Sequence, residues 1–140
     1  MTGRRAPTRP GGVTPREVAE RLYAAIARGD AATINELIHP QAALSVPGAN
    51  PVSGSYRGTA GLLRFTQATA AIAPGGAHTE VIDIMGGQRH AVVYGVSRAT
   101  RAGRTDLTNH TMHLITVEGS RVTAIAIFNA DQRAVDAFWS

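Results

Sequence analysis

The stretch Val46-Pro47-Gly48-Ala49-Asn50-Pro51-Val52-Ser53-Gly54-Ser55-Tyr56-Arg57-Gly58 divides the chain into two halves of different character. Its prolines and glycines are typical of a loop rather than of a helix or a strand. Amphipathic helical patterns precede the stretch, whereas one more helical pattern and then alternating strand patterns follow it. This order predicts an α+β fold in which helices line one face of a curved antiparallel sheet and enclose a cavity.

Two helices are predicted before the loop. The pattern Thr14-Pro15-Arg16-Glu17 combines a capping box with proline at the first helical position, and Gly29 is a typical helix end. Asp30 is the expected cap of the second helix, which His39-Pro40 ends. A short strand over residues 42–46 then leads into the loop.

After the loop, Thr59 opens a third helix, and period-two alternation predicts four strands. The strands lie at about residues 79–85, 90–101, 106–118 and 121–129. Asp131 caps a short terminal helix. One face of this sheet packs on the helices, and the other is free for solvent or a second copy of the chain. Four residues are expected to form an apolar outer surface and a homodimer contact: Ile82, Ile84, Val93 and Ile115.

Length and composition place the chain among single-domain globular proteins. It has 140 residues, of which 1–12 read as a flexible Arg/Pro/Gly tail and 13–140 as one domain. With no cysteine, neither a disulfide framework nor a thiolate site is possible. No pattern for a metal, a nucleotide phosphate or a nucleophile elbow occurs, so no metal and no cofactor is expected.

The charge pattern favours a small molecule over a nucleic acid or a membrane as partner. The formal net charge is +4, but three of the arginines lie in the tail, and cations do not cluster with aromatic residues elsewhere. No apolar run is long enough to cross a membrane. Arginines near the N-terminus lack an apolar segment behind them, which argues against a secretory signal and for a cytoplasmic protein.

The chain resembles SnoaL-like domains of the nuclear-transport-factor-2-like superfamily. The resemblance covers roughly residues 13–139 and rests on Arg28-Gly29-Asp30, His39-Pro40, the 46–58 loop and the ending Asp131-Gln132…Val135-Asp136-Ala137-Phe138-Trp139. It implies a cone-shaped α+β barrel that is usually dimeric. Relatives include ketosteroid isomerases, polyketide cyclases and proteins without chemistry, so fold alone does not decide function.

Ketosteroid isomerases use a tyrosine on the first helix, a basic aspartate on the first strand and a protonated aspartate in the oxyanion hole. Ungapped counting places these positions at Leu22, Val46 and Met112, all apolar, with Tyr23 one residue away. On that alignment the isomerase machinery is absent. The three apolar residues become candidates for the wall of a ligand pocket.

Strand alternation from Met112 predicts that His110 also faces the cavity. His110 is the candidate acid/base, with Asp131 as its partner and Asn129 as a donor to a carbonyl oxygen. Each has a structural alternative: a histidine satisfied by neighbouring hydroxyls, a helix cap and a strand terminus. The candidate binding residues are Tyr56, Leu22, Val46, Met112, Ile127 and Arg101.

Two functions fit these residues. The first is a cofactor-free isomerase or cyclase that carries out acid–base chemistry on an apolar polycyclic or polyketide-like substrate. The second is a non-catalytic module that binds a hydrophobic ligand or serves as a dimeric interaction surface. A contact between His110 and Asp131 inside an open pocket favours the enzyme.

Overall fold

The computed structural model describes residues 12–140, and residues 1–11 of the predicted tail lie outside the described residues. Within this range the elements follow in the order α1 (Pro15–Ala27), α2 (Ala31–Leu37), β1 (Ile38–Val46), β2 (Gly54–Arg57), α3 (Gly58–Ile72), β3 (His78–Gly86), β4 (His90–Ala99), β5 (Leu107–Glu118), β6 (Arg121–Asn129) and α4 (Gln132–Trp139). No helix among residues 12–140 is long and apolar enough to span a membrane.

The six strands form one sheet in the order β2-β1-β6-β5-β4-β3. Strand β1 pairs with β6 in parallel, while the other neighbours are antiparallel. Helix α1 contacts β3 to β6, and α3 contacts β1 and β2, so one face of the sheet is covered by helices. We call this the inner face and the opposite one the outer face. The predicted α+β fold is confirmed.

The helix starts follow from local hydrogen bonds. Thr14 Oγ1 accepts from the Glu17 backbone N–H at 3.2 Å, and Glu17 Oε1 accepts from the Thr14 N–H at 2.8 Å. Asp30 and Asp131 cap α2 and α4 through the backbone N–H groups of Thr33 and Ala134. Each such cap stabilises its helix by about 1 kcal/mol.

Two hydrophobic clusters cover different parts of the inner face. The first joins α1 and α2 to the sheet through Val18, Leu22, Leu37, Val93, Ile115, Val122 and Ile125. The second surrounds α4 and contains Val52, Ala73, Leu107, Phe138 and Trp139. Phe65 on α3 packs against both clusters. Between them lies a stretch of the inner face that carries polar side chains.

The predicted outer apolar surface is wrong for three of its four residues. Val93 is 1% exposed and Ile115 is fully buried, and both belong to the first cluster. Ile84 pairs with Val93 and packs on that cluster, because a bulge between Val81 and Asp83 changes which β3 residues face inward. Only Ile82 is exposed, as expected.

The loop contains a strand that the sequence did not predict. Strand β2 pairs antiparallel with β1, with Leu44 opposite Tyr56, and forms the edge of the sheet. Strand β1 also begins earlier than expected, at Ile38 rather than Ala42, with an irregularity between these residues. The true loop is therefore short and spans residues 47–53.

Candidate functional site

The interior is built around β5, whose odd-numbered residues face inward. Asn109 and His113 are 4% and 8% exposed, and Thr111 is buried between them. The expectation that His110 and Met112 line the interior is wrong. The hairpin places Leu107 opposite Ala99, so the odd-numbered residues of β4 and β5 share the inner face. The ungapped counting had instead placed the even-numbered residues of β5 on that face.

His110 and Met112 lie on the outer face instead. Met112 is 48% exposed. His110 Nδ1 lies 2.9 Å from the Tyr94 hydroxyl, and the two rings stack with centroids 5.9 Å apart. Within residues 12–140 no hydrogen bond joins the side chain of His110 to that of Asp131, which caps α4. The predicted pair is therefore not formed.

Helix α1 places Tyr23 over the inner face, where its hydroxyl lies 2.6 Å from His113 Nδ1. Tyr23 follows Leu22 and His113 follows Met112 by one residue, so a polar pair lies next to the two apolar positions given by ungapped counting. Leu22 itself is fully buried in the first cluster and does not reach a pocket.

Burial keeps the Tyr23–His113 pair neutral at pH 7. Desolvation lowers the pKa of His113 to about 4 and raises the pKa of Tyr23 well above its ordinary value of 10. A neutral phenol and a neutral imidazole carry one O–H and one N–H. The bond between them uses one of these hydrogens, so in either tautomer the other is left without an acceptor among residues 12–140.

A chain of amides begins at Asn109, four residues before His113 on the same face of β5, and runs out of the interior. Asn109 Nδ2 donates to Asn129 Oδ1 at 2.8 Å, Asn129 Nδ2 donates to Gln132 Oε1 at 2.9 Å, and Gln132 Nε2 donates to Asp136 Oδ1 at 3.0 Å. The Asp131 backbone N–H donates to Asn109 Oδ1 at the inner end. The Asp131 N–H at one end can only donate, and the Asp136 carboxylate at the other can only accept. Each amide between them therefore has its oxygen toward the inner end and its nitrogen toward Asp136.

Asp136 also fastens the 47–53 loop to α4. Its Oδ1 accepts from the Asn50 side chain at 2.7 Å and from the Ala49 backbone N–H at 3.1 Å. The hydrogen bonds from Asn50 and Gln132 hold the pKa of Asp136 below its ordinary value. Gly48 has φ +102°, and a Cβ at this position would collide with Gln132 and Asp136, so this close approach requires glycine.

Asp136→Ala is expected to raise amide exchange in residues 47–53 by about 10-fold, because the loop loses its charge-assisted hydrogen bonds. Hydrogen–deuterium exchange with mass spectrometry measures it. Asp30→Ala is the matched control, since Asp30 also accepts three hydrogen bonds, from Arg28 and twice from Thr33, but caps α2. An equal rise in loop exchange in both variants contradicts a specific role of Asp136.

The remaining predicted binding residues divide between the interior and the periphery. Ile127 faces inward opposite His113, and Val46 packs against the first cluster. Tyr56 donates its hydroxyl to the Val52 carbonyl at 2.7 Å and packs edge-on against Phe65, so it lies beneath the loop. Arg101 donates to the Phe138 carbonyl at 2.8 Å and thus holds α4 rather than facing the interior.

A second group of polar side chains on the inner face was not among the candidate site residues. Thr79 Oγ1 and Ser97 Oγ lie 3.0 Å apart, and Ser97 is opposite Asn109 across β4 and β5. The signal was available in the shared odd numbering of Leu107, Ile115 and Val117, which are buried and fix the inward parity of β5.

Among residues 12–140 no group of three histidine or acidic side chains is arranged to hold a metal ion.

Comparison with known proteins agrees with this architecture. A family model described as a SnoaL-like domain matches residues 19–125. The protein Rv0034 of Mycobacterium tuberculosis is 33% identical over 126 residues, which cover 89% of this chain and 95% of that protein. The family match runs from within α1, through the loop, to the middle of β6.

Solved structures show the same fold at lower identity. Bal32a, from a soil-derived mobile gene cassette, superposes with a TM-score of 0.81 at 22% identity, covering 89% of this chain and 95% of its own. TerC, co-crystallized with polyporic acid, has a TM-score of 0.76 at 20% identity, covering 91% and 100%. The chain belongs to the SnoaL-like domain family and has the α+β fold of nuclear-transport-factor-2-like proteins.

Proposed function

We propose that this protein binds an apolar small molecule on the inner face and that Tyr23 and His113 carry out cofactor-free acid–base chemistry at a carbonyl group of that molecule. The observation that carries the proposal is the 2.6 Å contact between the Tyr23 hydroxyl and His113 Nδ1. A buried polar pair with an uncommitted hydrogen is typical of a site that binds an oxygen atom. Isomerisation and cyclisation of an enolisable ketone both fit such a site.

The proton inventory of the pair accounts for both halves of the reaction. When His113 Nδ1–H donates to the Tyr23 oxygen, the Tyr23 O–H is free to donate to the substrate carbonyl and the Nε2 lone pair is free to accept a proton from the adjacent carbon. The proton then resides on the imidazole while the enolate oxygen accepts from Tyr23. Return of the proton to another carbon completes an isomerisation.

Two further observations support binding of an apolar ligand. Ile127 lies opposite His113 on the inner face, Phe65 packs against both hydrophobic clusters, and both side chains are only partly buried. SnoaL-like and nuclear-transport-factor-2-like relatives bind small molecules, and TerC was crystallised with polyporic acid. Apolar walls with a few convergent polar groups are the usual composition of such sites.

The test is carbon–deuterium exchange in deuterium oxide, followed by NMR, with a panel of polycyclic ketones such as β-tetralone. Enzyme-dependent exchange at the carbon next to the carbonyl is the expected result. Thermal stabilisation by the same ketones without any exchange supports the alternative, a non-catalytic binding module. If no ketone of the panel shows exchange and none stabilises the protein, ligand binding at this site is contradicted.

We also propose that the outer face forms a homodimer contact with a second copy. Tyr94, Met112 and Phe128 are neighbours across β4, β5 and β6, and Met112 and Phe128 are 48% and 55% exposed. Met85 is exposed on the same face, opposite Val92. An exposed apolar row on an antiparallel sheet is typical of an interface, and a two-fold axis would bring the row against itself.

Met112→Glu is expected to convert the dimer to a monomer, because it places two like charges in a closed apolar contact. Sedimentation at several protein concentrations measures the dissociation constant of the dimer. We expect the substitution to raise this constant by at least about 100-fold. Glu118→Gln, an exposed change at the far end of β5, is the control. A monomeric wild-type protein, or a dimer unaffected by Met112→Glu, contradicts this interface.

A further inference from the structure

We infer that the inner face carries a second oxygen-binding subsite, formed by Thr79, Ser97 and Asn109, and that the ligand is an elongated apolar molecule with an oxygen function at each end. The inference rests on the proposed function, in which Tyr23 and His113 bind one of the two oxygens. It adds the length of the ligand and the chemistry of its far end.

The hydroxyl pair supplies the first donor of this subsite. Thr79 Oγ1 and Ser97 Oγ lie 3.0 Å apart on neighbouring strands, and either oxygen can donate to the other. Two hydroxyl hydrogens share this one contact, and neither side chain has another hydrogen bond among residues 12–140. One O–H therefore remains free. Both side chains are only half-buried, so they are accessible to a ligand.

Asn109 supplies the second donor. Its side chain is 4% exposed and lies on the inner face opposite Ser97. One hydrogen of its amide goes to Asn129 Oδ1, and its own Oδ1 accepts from the Asp131 backbone N–H. The other amide hydrogen has no acceptor among residues 12–140. Because the chain of amides fixes the orientation of Asn109, this position presents a donor rather than an acceptor, which selects a carbonyl or another oxygen acceptor.

The surface between the two polar ends offers no free donor along β4 and β5. Gly95, the inward residue after Val93 and before Ser97, has no side chain. Thr111, opposite Gly95, donates its hydroxyl to the Phe128 carbonyl at 3.1 Å. A ligand that bridges the two ends therefore needs an apolar middle where it faces β4 and β5.

The register gives the length of this ligand. Asn109 and His113 are four residues apart on the same face of β5, which is about 13 Å at the usual rise of a strand. Allowing for hydrogen bonds at both ends, the two ligand oxygens are separated by a distance on the order of 10 Å. A single ring is too short, whereas a rigid body of two linked rings or three fused rings fits.

Two probes that differ by one oxygen test this directly. Para,para′-biphenol carries a hydroxyl at each end of a rigid apolar body, and para-phenylphenol carries only one. Calorimetric titration of the wild type is expected to give a roughly 5- to 10-fold tighter dissociation constant for the diol, beyond the twofold statistical advantage of a symmetric ligand. In Thr79→Val/Ser97→Ala this advantage is expected to shrink, because only the Asn109 donor remains, while the affinity for para-phenylphenol stays within about twofold.

Thr108→Val is the matched control, because Thr108 is an exposed hydroxyl residue of β5 next to Asn109 but on the outer face. It is expected to keep the full preference for the diol. Equal affinity of the wild type for both probes, combined with weaker binding of both by Tyr23→Phe, overturns the second subsite and leaves the proposed function intact. Absence of binding by both probes also overturns the inference, and the exchange assay then judges the proposed function alone.

Discussion

Tyr23→Phe is expected to slow carbon–deuterium exchange by at least about 100-fold, whereas Tyr94→Phe leaves the rate within about twofold. Both substitutions remove one phenolic oxygen that is hydrogen-bonded to a histidine Nδ1, at 2.6 Å in the interior and at 2.9 Å on the outer face. In the proposed reaction the interior hydroxyl stabilises the developing enolate, and a single donor to such an oxygen contributes about 100- to 1000-fold in rate.

The double variant Tyr23→Phe/His113→Gln sharpens this prediction. Residues that act as one unit show non-additive losses of rate. The rate of the double variant is therefore expected to lie within about threefold of the rate of the more impaired single variant. His110→Gln is the outer-face control for His113→Gln. If Tyr94→Phe slows exchange as much as Tyr23→Phe, the assignment of the chemistry to the interior is wrong.

The second large effect concerns stability in acid. The folded-state pKa of His113 is about 4, below its ordinary value of 6.5, because burial disfavours the charged imidazole. Between these two values the unfolded chain binds a proton at this position and the folded chain does not. The free energy of unfolding therefore falls as the pH is lowered from 6.5 to 4, by about 3 kcal/mol from this residue. Above pH 6.5 the imidazole is neutral in both the folded and the unfolded chain, so the free energy of unfolding no longer changes with pH through this residue.

Urea unfolding of the wild type and of His113→Gln at several pH values between 4 and 8 isolates this contribution. The difference in unfolding free energy between the two proteins is expected to change by about 3 kcal/mol across that range, in the direction of relative stabilisation of the variant in acid. His110→Gln, which removes an exposed histidine, is expected to follow the wild type. A pH-independent difference between the wild type and His113→Gln contradicts the burial of a neutral imidazole.

Local sequence signals predicted the helices and most of the strands. The caps at Thr14, Asp30 and Asp131 depend on residues within one turn of each other and are formed as expected. Strand β2 was missed because it is a four-residue edge strand with glycine and serine, and only its pairing with β1 makes it a strand. Such pairing depends on residues that are distant in the chain.

The interior site was predicted on the wrong face of β5 because both faces of this strand are mixed. Asn109, Thr111 and His113 are polar yet buried, and Met112 on the opposite face is apolar yet exposed. Hydrophobic alternation within residues 109–113 alone does not assign the face, because there the core side carries a polar site and the solvent side an apolar residue. The apolar residues Leu107, Ile115 and Val117 at the two ends of the strand do assign it. On β6, where Ile125 and Ile127 are apolar and inward, the same reasoning predicted the correct face.

The parallel pairing of β1 with β6 has a consequence for how the chain folds. Leu44 lies opposite Ile125, about 80 residues later in the sequence, and the loop that follows β1 is held by Asp136 on the last helix. During synthesis, β1 therefore has only β2 as a hydrogen-bonded neighbour in the sheet until β6 has left the ribosome. Closing so long a segment costs entropy before any contact compensates for it, which makes this pairing a late and slow event. We therefore expect the inner face to be completed only after β6 and α4 are in place.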